Sequence, residues 1–203
     1  FSAAGRELRS AGLIDDPGAL TETGEWVAAH LRDGRHIAVA ANSSPPQLLS
    51  LWIGDMTVLA ISHLTDAATG NITHRIVYCL ADDIPRLVFM WLELQPSWDM
   101  TFEITCSQAE FIAKLQTDAP PGTVPDGDAA EFTRQRWVAV SLIGPDDDTD
   151  APEVAWTMAR PRGVALLTEG TDADRVVVSR NPAEPFWQVL TRALLNLAEG
   201  EEP

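Results

Sequence analysis

Hydrophobic and polar positions in the first half of the chain predict two helices followed by four strands. Helices are expected over 2–11 and 22–32, and a glycine follows each of them as a stop signal. Apolar residues then alternate with other residues, as at Leu49, Leu51 and Ile53, which is the period of two of a half-buried sheet. The strands predicted from this alternation and from the turns cover 35–41, 48–53, 56–62 and 72–79.

A third helix is predicted over 84–95. Asp82 and Asp83 precede it as caps, and Pro85 lies in its first turn. The residues of this helix are apolar on nearly every side, so we expect neighbouring elements to cover it all round. It is therefore a candidate for the seam between two packed halves of the molecule.

The second half of the chain shows a similar order of elements. Ser107 and Glu110 have the spacing of a capping box, which predicts the start of a helix. Breaks at Pro and Gly make 117–130 an exposed connector. The predicted helices cover 107–116 and 182–198, the latter capped by Asn181, and the predicted strands cover 100–105, 132–143, 153–159, 162–168 and 174–179.

An internal repeat is predicted from the two halves. At an offset of 100 residues, Arg75 falls on Arg175 and Pro85 falls on Pro185, and the order of elements coincides. The sequence therefore predicts an α+β fold with a pseudo-twofold repeat of two subdomains, each an antiparallel sheet with flanking helices. The halves are 1–98 and 99–203, packed as one globular unit.

Charge and composition restrict the class of partner. The 203 residues include 14 basic and 30 acidic side chains, for a net charge of -16, and 45% are hydrophobic. Such a field repels phosphates and anionic lipids, so we expect no nucleic-acid partner. No apolar run is long enough to cross a bilayer and no export signal is present, which predicts a cytoplasmic protein without membrane insertion. Because the sequence begins at Phe1 instead of Met, we expect some N-terminal sequence to be missing.

Motifs for catalysis or for cofactors are not found. The sequence has no GxG and no GxSxG, and its four His lack the helical spacing of a metal site. The acidic run from Asp146 to Asp150 has calcium-ligand spacing, but Ala151 and Thr157 replace the required Gly and Glu. Cys79 and Cys106 are expected to be free thiols. We therefore predict no catalytic residues, no cofactor and no metal.

Two other functions stay open at this point. The stretch from Leu8 to Ile14, followed by Leu20 to Gly24, resembles the end of a winged-helix domain, so a small regulatory module is one alternative. An uncharacterised enzyme that uses Asp or Glu is the other. A basic groove would support the regulatory module, and a buried carboxylate pair in a deep pocket would support the enzyme.

Several segments together resemble the EspG proteins, cytosolic chaperones of actinobacterial type VII secretion systems. They are the leader from Arg6 to Asp15, Val58-Leu59-Ala60, the stretch from Val154 to Gly163, and Arg175 to Val178 with the amphipathic helix that follows. The resemblance spans most of the chain and indicates a divergent or N-terminally truncated relative. It implies a non-catalytic chaperone that binds the apolar helical tip of a PPE protein paired with a PE protein.

The contact with this helical pair is expected at a loop, at the solvent face of the adjoining strands and at the last helix. An apolar platform with a polar rim is what such binding needs. The predicted partner-binding residues are Asn42, Ser43, Ser44, Pro45, Pro46, Gln47, Phe186, Trp187 and Leu190. Self-association as a homodimer is left open.

Overall fold

The computed structural model has an α+β fold in which nine strands form one antiparallel sheet. The described residues are 2–42, 46–65, 69–70, 72–93, 102–121, 126–144, 154–160, 164–172, 174–180, 188 and 190–196. For 64–65, 154–160, 164–172 and 180 the description is of the backbone. The acidic run from Asp146 to Asp150 and the predicted cap Asn181 lie outside the described residues.

The helices and strands of the first half follow the predicted order. A 3-10 turn, Ala81–Asp83, joins the last strand to the third helix. The elements are α1 (Ala3–Ser10), α2 (Glu22–Asp33), β1 (Arg35–Asn42), β2 (Gln47–Ile53), β3 (Thr57–Thr65), β4 (Ile72–Leu80) and α3 (Ile84–Leu92).

The second half adds a strand and two short helices before its four-strand meander. The elements are β5 (Glu103–Ser107), α4 (Gln108–Thr117), α5 (Asp128–Arg134), β6 (Arg136–Ile143), β7 (Val154–Arg160), β8 (Val164–Asp172) and β9 (Arg175–Arg180). A C-terminal helix is described over 190–196.

Local capping explains where the well-defined helices begin. The Thr21 hydroxyl accepts a hydrogen bond from the Gly24 amide, 3.1 Å away, at the start of α2. At α4 the predicted capping box is present, because Ser107 accepts from the Glu110 amide while the Glu110 carboxylate accepts from the Ser107 amide. At α3 the residue before the helix is Asp83, as predicted, but its side chain makes no capping hydrogen bond.

The sheet joins the two halves at its centre. The strand order is β4-β3-β2-β1-β6-β7-β8-β9-β5, so β1 and β6 are the central pair. The meanders extend outward from this pair in the same sequence on both sides, and β5 adds a further strand beyond β9. The predicted offset of 100 residues makes Val140 the equivalent of Ala40. In the sheet, Ala40 pairs with Ser141, the neighbour of Val140. The pseudo-twofold repeat and its division into 1–98 and 99–203 stay predictions that this order favours.

One face of the sheet, which we name the α3 face, carries the larger hydrophobic core. It is covered by α3 and by the C-terminal helix, which together shield residues of both halves. Members of this core that are fully or almost fully buried include Ile37, Val39, Leu51, Val58, Ile84, Val88, Leu92, Val140, Leu142, Leu190 and Leu194. Residues from both halves of the chain therefore contribute to one hydrophobic core on this face.

The opposite face, which we name the α2–α4 face, carries a second core in its C-terminal half. There α4 and α5 cover Trp137, which alternates along β6 with the α3-face residues Val138 and Val140. The Trp137 ring is fully buried against Phe132, with 5.2 Å between ring centroids, and its indole N–H donates to the Phe132 carbonyl at 3.1 Å. On the N-terminal half of this face, the Trp26 ring of α2 packs against Tyr78 of β4, with 3.7 Å between the ring centroids.

Two expectations about this architecture were wrong. A helix, α5, lies where the sequence predicted the end of a connector (117–130) and the start of a strand (from residue 132). This helix buries Ala129, Phe132 and Thr133. Phe132 is part of α5 and contributes to the second core. The apolar residues that precede β6 therefore belong to this helix and not to the strand. The helix α3 is not covered all round either, because Met90 is 69% exposed.

Candidate partner-binding surface

The hairpin between β1 and β2 lies at the end of the central strands. Asn42, the last residue of β1, is exposed and pairs with Ala139, so it lies where the two halves join. Pro46 is exposed, and Gln47 begins β2 half-buried opposite Ala41. Three predicted contact residues lie outside the described residues: Ser43, Ser44 and Pro45. The described ends of the hairpin are thus placed at the middle of the sheet.

One predicted contact on the C-terminal helix, Leu190, lies in the described part of the chain. Leu190 is only 1% exposed and belongs to the core of the α3 face, so its side chain is not available to a partner. Leu190 lies on the side of this helix that faces the sheet. Phe186 and Trp187 lie outside the described residues, and their role stays a prediction.

A cleft of about 320 Å³ lies between α3 and strands β2 to β4 on the α3 face. Leu49 contributes to its floor, two residues along β2 from Gln47 and on the same face. Its lining is mainly apolar, with Arg75, Arg86, Asp83 and Ser62 as polar members. An apolar floor with a polar rim is the arrangement of protein-binding surfaces.

Two residues of α3 at this cleft were not predicted as contacts. Met90 is 69% exposed, and the buried indole N–H of Trp91 has no hydrogen-bond partner among the described residues. A methionine side chain adapts to irregular apolar partners, so an exposed one at a cleft is a contact candidate. The sequence does contain a signal for this surface, because the residues of α3 are apolar on nearly every side of the helix. The sheet can cover only part of such a helix, so one apolar side stays exposed.

Both cysteines are free, as predicted, and neither is activated as a nucleophile. Burial, and then the Asp83 carboxylate, raise the pKa of the Cys79 thiol above its ordinary value. Burial, and then Glu110, likewise raise the pKa of Cys106. Because the thiolate is the reactive form, both shifts oppose reactivity.

Two histidines lie opposite each other across β3 and β4. His63 pairs with His74, and their ring centroids are 4.6 Å apart. Burial, and then the neighbouring His74, hold the pKa of His63 below its ordinary value of 6.5. The sequence by itself does not show this pair, because the pairing depends on the register of the β3–β4 hairpin.

Stability is expected to fall as the pH drops below about 6.5. The folded state binds a proton at His63 less readily than the unfolded state does. The contribution of neutral His63 to stability is therefore fully present above the pKa of the unfolded state and is lost on acidification. His74→Gln should make the decline of the melting temperature shallower, because it removes the like charge opposite His63. Thermal melts at a series of pH values check this, and identical pH profiles for the two proteins would contradict it.

Basic side chains near the N-terminus are engaged locally. Arg9 donates to the carbonyl oxygens of Asp15 and Asp16, at 3.3 and 3.0 Å, and its guanidinium lies 3.5 Å from the Asp16 carboxylate. These contacts hold the turn after α1, where Ile14 and Leu20 form an isolated bridge. Arg9 therefore stabilises the winged-helix-like segment itself instead of pointing a free charge at a ligand.

Among the residues that the structure describes, no carboxylate is buried, and the buried polar side chains are Ser50, Ser62, Lys114 and Thr133. In the same part of the chain, no group of three or more His, Cys, Asp or Glu is placed to hold a metal ion. None of the described helices has the length and hydropathy needed to span a membrane.

Comparison with known proteins shows a likeness to a solved structure. No protein-family model matches the chain, and no curated protein matches it. Among solved structures, it is similar to the Mycobacterium tuberculosis type VII secretion system chaperone EspG5, solved in complex with a PE25-PPE41 dimer. The TM-score is 0.53 at 13% identity, and the match covers 95% of this chain and 83% of that chain. The chain has an EspG-like fold.

The EspG-like fold confirms the fold class and the resemblance predicted from the sequence. At 13% identity the likeness concerns the fold, and the low identity agrees with a divergent relative. The match covers almost the whole chain.

Proposed function

We propose that the chain is a non-catalytic, cytoplasmic chaperone that binds the apolar helical tip of a PE/PPE-type protein pair for type VII secretion. The observation that carries this proposal is the likeness of fold, over 95% of the chain, to a chaperone solved with such a pair. Fold alone does not determine function, so the proposal also rests on the surface of this chain.

The cleft beside α3 and the β1–β2 hairpin form the proposed binding surface. Helical tips bind through apolar side chains that enter a groove, and the cleft offers a mainly apolar lining of suitable size for side chains of this kind. Met90 extends the apolar surface beyond the cleft, and Pro46 and Gln47 extend it towards the centre of the sheet.

The acidic surface supports this function in a second way. A net charge of -16 keeps the molecules apart, so an exposed apolar platform does not lead to self-association. The raised pKa values of Cys79 and Cys106 and the lack of a buried carboxylate among the described residues agree with a binding role.

Met90→Asp is expected to weaken binding of a PE/PPE pair from the source genome by about tenfold or more, a loss of roughly 1.4 kcal/mol. A charge on this side chain would have to be desolvated against the apolar tip. Met56→Asp is the matched control, because Met56 is 75% exposed and lies in the β2–β3 turn, away from the β1–β2 hairpin. Calorimetric titration measures both.

Equal affinity of the Met90→Asp and Met56→Asp variants would contradict the assignment of the cleft. A second substitution, Pro46→Asp, tests the hairpin in the same titration and is expected to act in the same direction. Circular dichroism before each titration separates a loss of binding from a loss of fold.

A further inference from the structure

In the described part of the chain, strand β4 is an edge of the sheet with an apolar side. It is the terminal strand in the strand order, and none of its nine residues is buried. Four apolar side chains on one face are 38 to 61% exposed: Ile72, Ile76, Tyr78 and Leu80. We name them the edge patch. The exposed His74 lies between Ile72 and Ile76 on the same face. The edge patch lies on the α2–α4 face, opposite the cleft beside α3, because Val77 and Cys79 alternate with its residues and face α3.

The features by which sheet edges avoid pairing are missing from β4. Its pairing with β3 runs from Thr57 opposite Leu80 to Thr65 opposite Ile72 without a bulge. The strand contains no proline and no lysine, and its one arginine, Arg75, lines the cleft on the other face. A long, regular and apolar edge is a template for an additional strand. Such a strand would gain main-chain hydrogen bonds along β4 and apolar contacts on the edge patch.

A groove of about 630 Å³ continues the edge patch at the Leu80 end of β4. Its aromatic wall is formed by Trp26 of α2 and Tyr78, whose ring centroids are 3.7 Å apart in an edge-on arrangement. Glu22 and Asp83 also line the groove, and its described lining residues include no basic side chain. Aromatic faces beside carboxylates favour a cationic side chain, which gains both cation–π contact and charge pairing.

We infer that the edge patch and this groove bind an extended segment of a partner protein, with aliphatic residues on the patch and an arginine or lysine in the groove. The segment adds to β4 as a tenth, antiparallel strand, and its basic residues lie near its N-terminal end, opposite Leu80 and Tyr78. Charge decides between this occupant and a second copy of the chain. Each copy carries -16, so two copies repel, whereas a basic segment is attracted.

A peptide matched to this geometry tests the inference. The probe is the fluorescent nine-residue peptide Arg-Thr-Arg-Thr-Val-Thr-Val-Thr-Val, in which every second side chain faces the patch or the groove. We expect saturable binding by fluorescence anisotropy, and about tenfold weaker binding when both arginines are replaced by glutamate. Added salt should weaken the arginine peptide more than an uncharged serine version.

Variants of the protein locate the site. Ile76→Lys, which places a charge in the middle of the edge patch, should reduce affinity by about tenfold. Ile112→Lys is the control, because Ile112 is 43% exposed on α4, on the C-terminal half of the fold. The double substitution Glu22→Gln with Asp83→Asn should abolish the preference for arginine over serine at unchanged melting temperature.

Three results would overturn the inference: no binding of the arginine peptide, equal binding of the arginine and glutamate peptides, or binding that Ile76→Lys does not change. Sedimentation of the free protein tests whether a second copy of the chain binds at the edge patch instead. A dimer that Ile76→Lys dissociates would assign the edge patch to a second copy of the chain. Asp83 lines both the groove and the cleft, but the residues of the edge patch do not line the cleft. The effect of Ile76→Lys on the peptide is therefore independent of whether the chain binds a PE/PPE pair.

Discussion

Trp137→Ala is expected to lower the free energy of unfolding by about 3–5 kcal/mol, because it empties the centre of the second core. The indole is fully buried, lies beside Phe132 and Phe111, and has the Lys114 ammonium 5.8 Å from its ring centroid. Removing it leaves a cavity among α4, α5 and β6 that rigid elements cannot fill. Urea denaturation followed by circular dichroism measures the loss.

Trp137→Phe separates the packing of the ring from its hydrogen bond. The Phe132 carbonyl keeps a partner in the Gln135 amide, 3.1 Å away, so the loss of the indole donor leaves no unsatisfied group there. We therefore expect a loss of about 1–2 kcal/mol for this variant. A Trp137→Ala loss below that of Trp137→Phe would contradict the central position of Trp137 in the second core.

Gly24→Ala is expected to destabilise the protein by about 1–3 kcal/mol, although alanine is the better helix former. Gly24 is buried in the first turn of α2, against the backbone of the segment that follows α1. A Cβ atom at this position would lie 1.9 Å from the Leu13 carbonyl oxygen, which also accepts a hydrogen bond from the Thr21 amide. Because the clash is with backbone, a side-chain rotation cannot relieve it.

The matched control for this glycine is Glu25→Ala, one residue along α2 and exposed. That substitution should change stability by less than about 0.5 kcal/mol. Thermal denaturation compares the two, and hydrogen exchange at residues 13–21 should increase in Gly24→Ala alone. Stabilisation by Gly24→Ala, as helix propensity by itself predicts, would contradict the close packing of α2 on Leu13.

The strands could be predicted from the sequence because their signals are local. The alternation at Leu49, Leu51 and Ile53 and the turn at Gly54 determine β2 and the hairpin that follows it. The α+β class and the EspG-like fold followed from the order of these elements and from the resemblance of segments. The helix α5 was missed because it has only seven residues. So short a segment does not show a helical period that distinguishes it from the strand that follows.

The binding surfaces could not be predicted from the sequence, because they depend on contacts between distant residues. Trp26 meets Tyr78 only when α2 packs across β3 and β4, and Leu190 is buried only when the C-terminal helix joins α3 on the sheet. A buried stripe and a contact stripe have the same apolar pattern. They differ because a sheet covers the buried stripe and not the contact stripe. Leu190 is 1% exposed on the first kind, and Met90 is 69% exposed on the second.

The most direct test of the proposed chaperone function is the mass of the complex formed with a PE/PPE pair. The chain is co-expressed with each such pair of the source genome, and the product is measured by size-exclusion chromatography with light scattering. We predict a co-eluting complex with one copy of each protein, heavier than the free pair by the 22.1 kDa of this chain. Separate elution from every pair, with the chain folded by circular dichroism, would contradict the chaperone function.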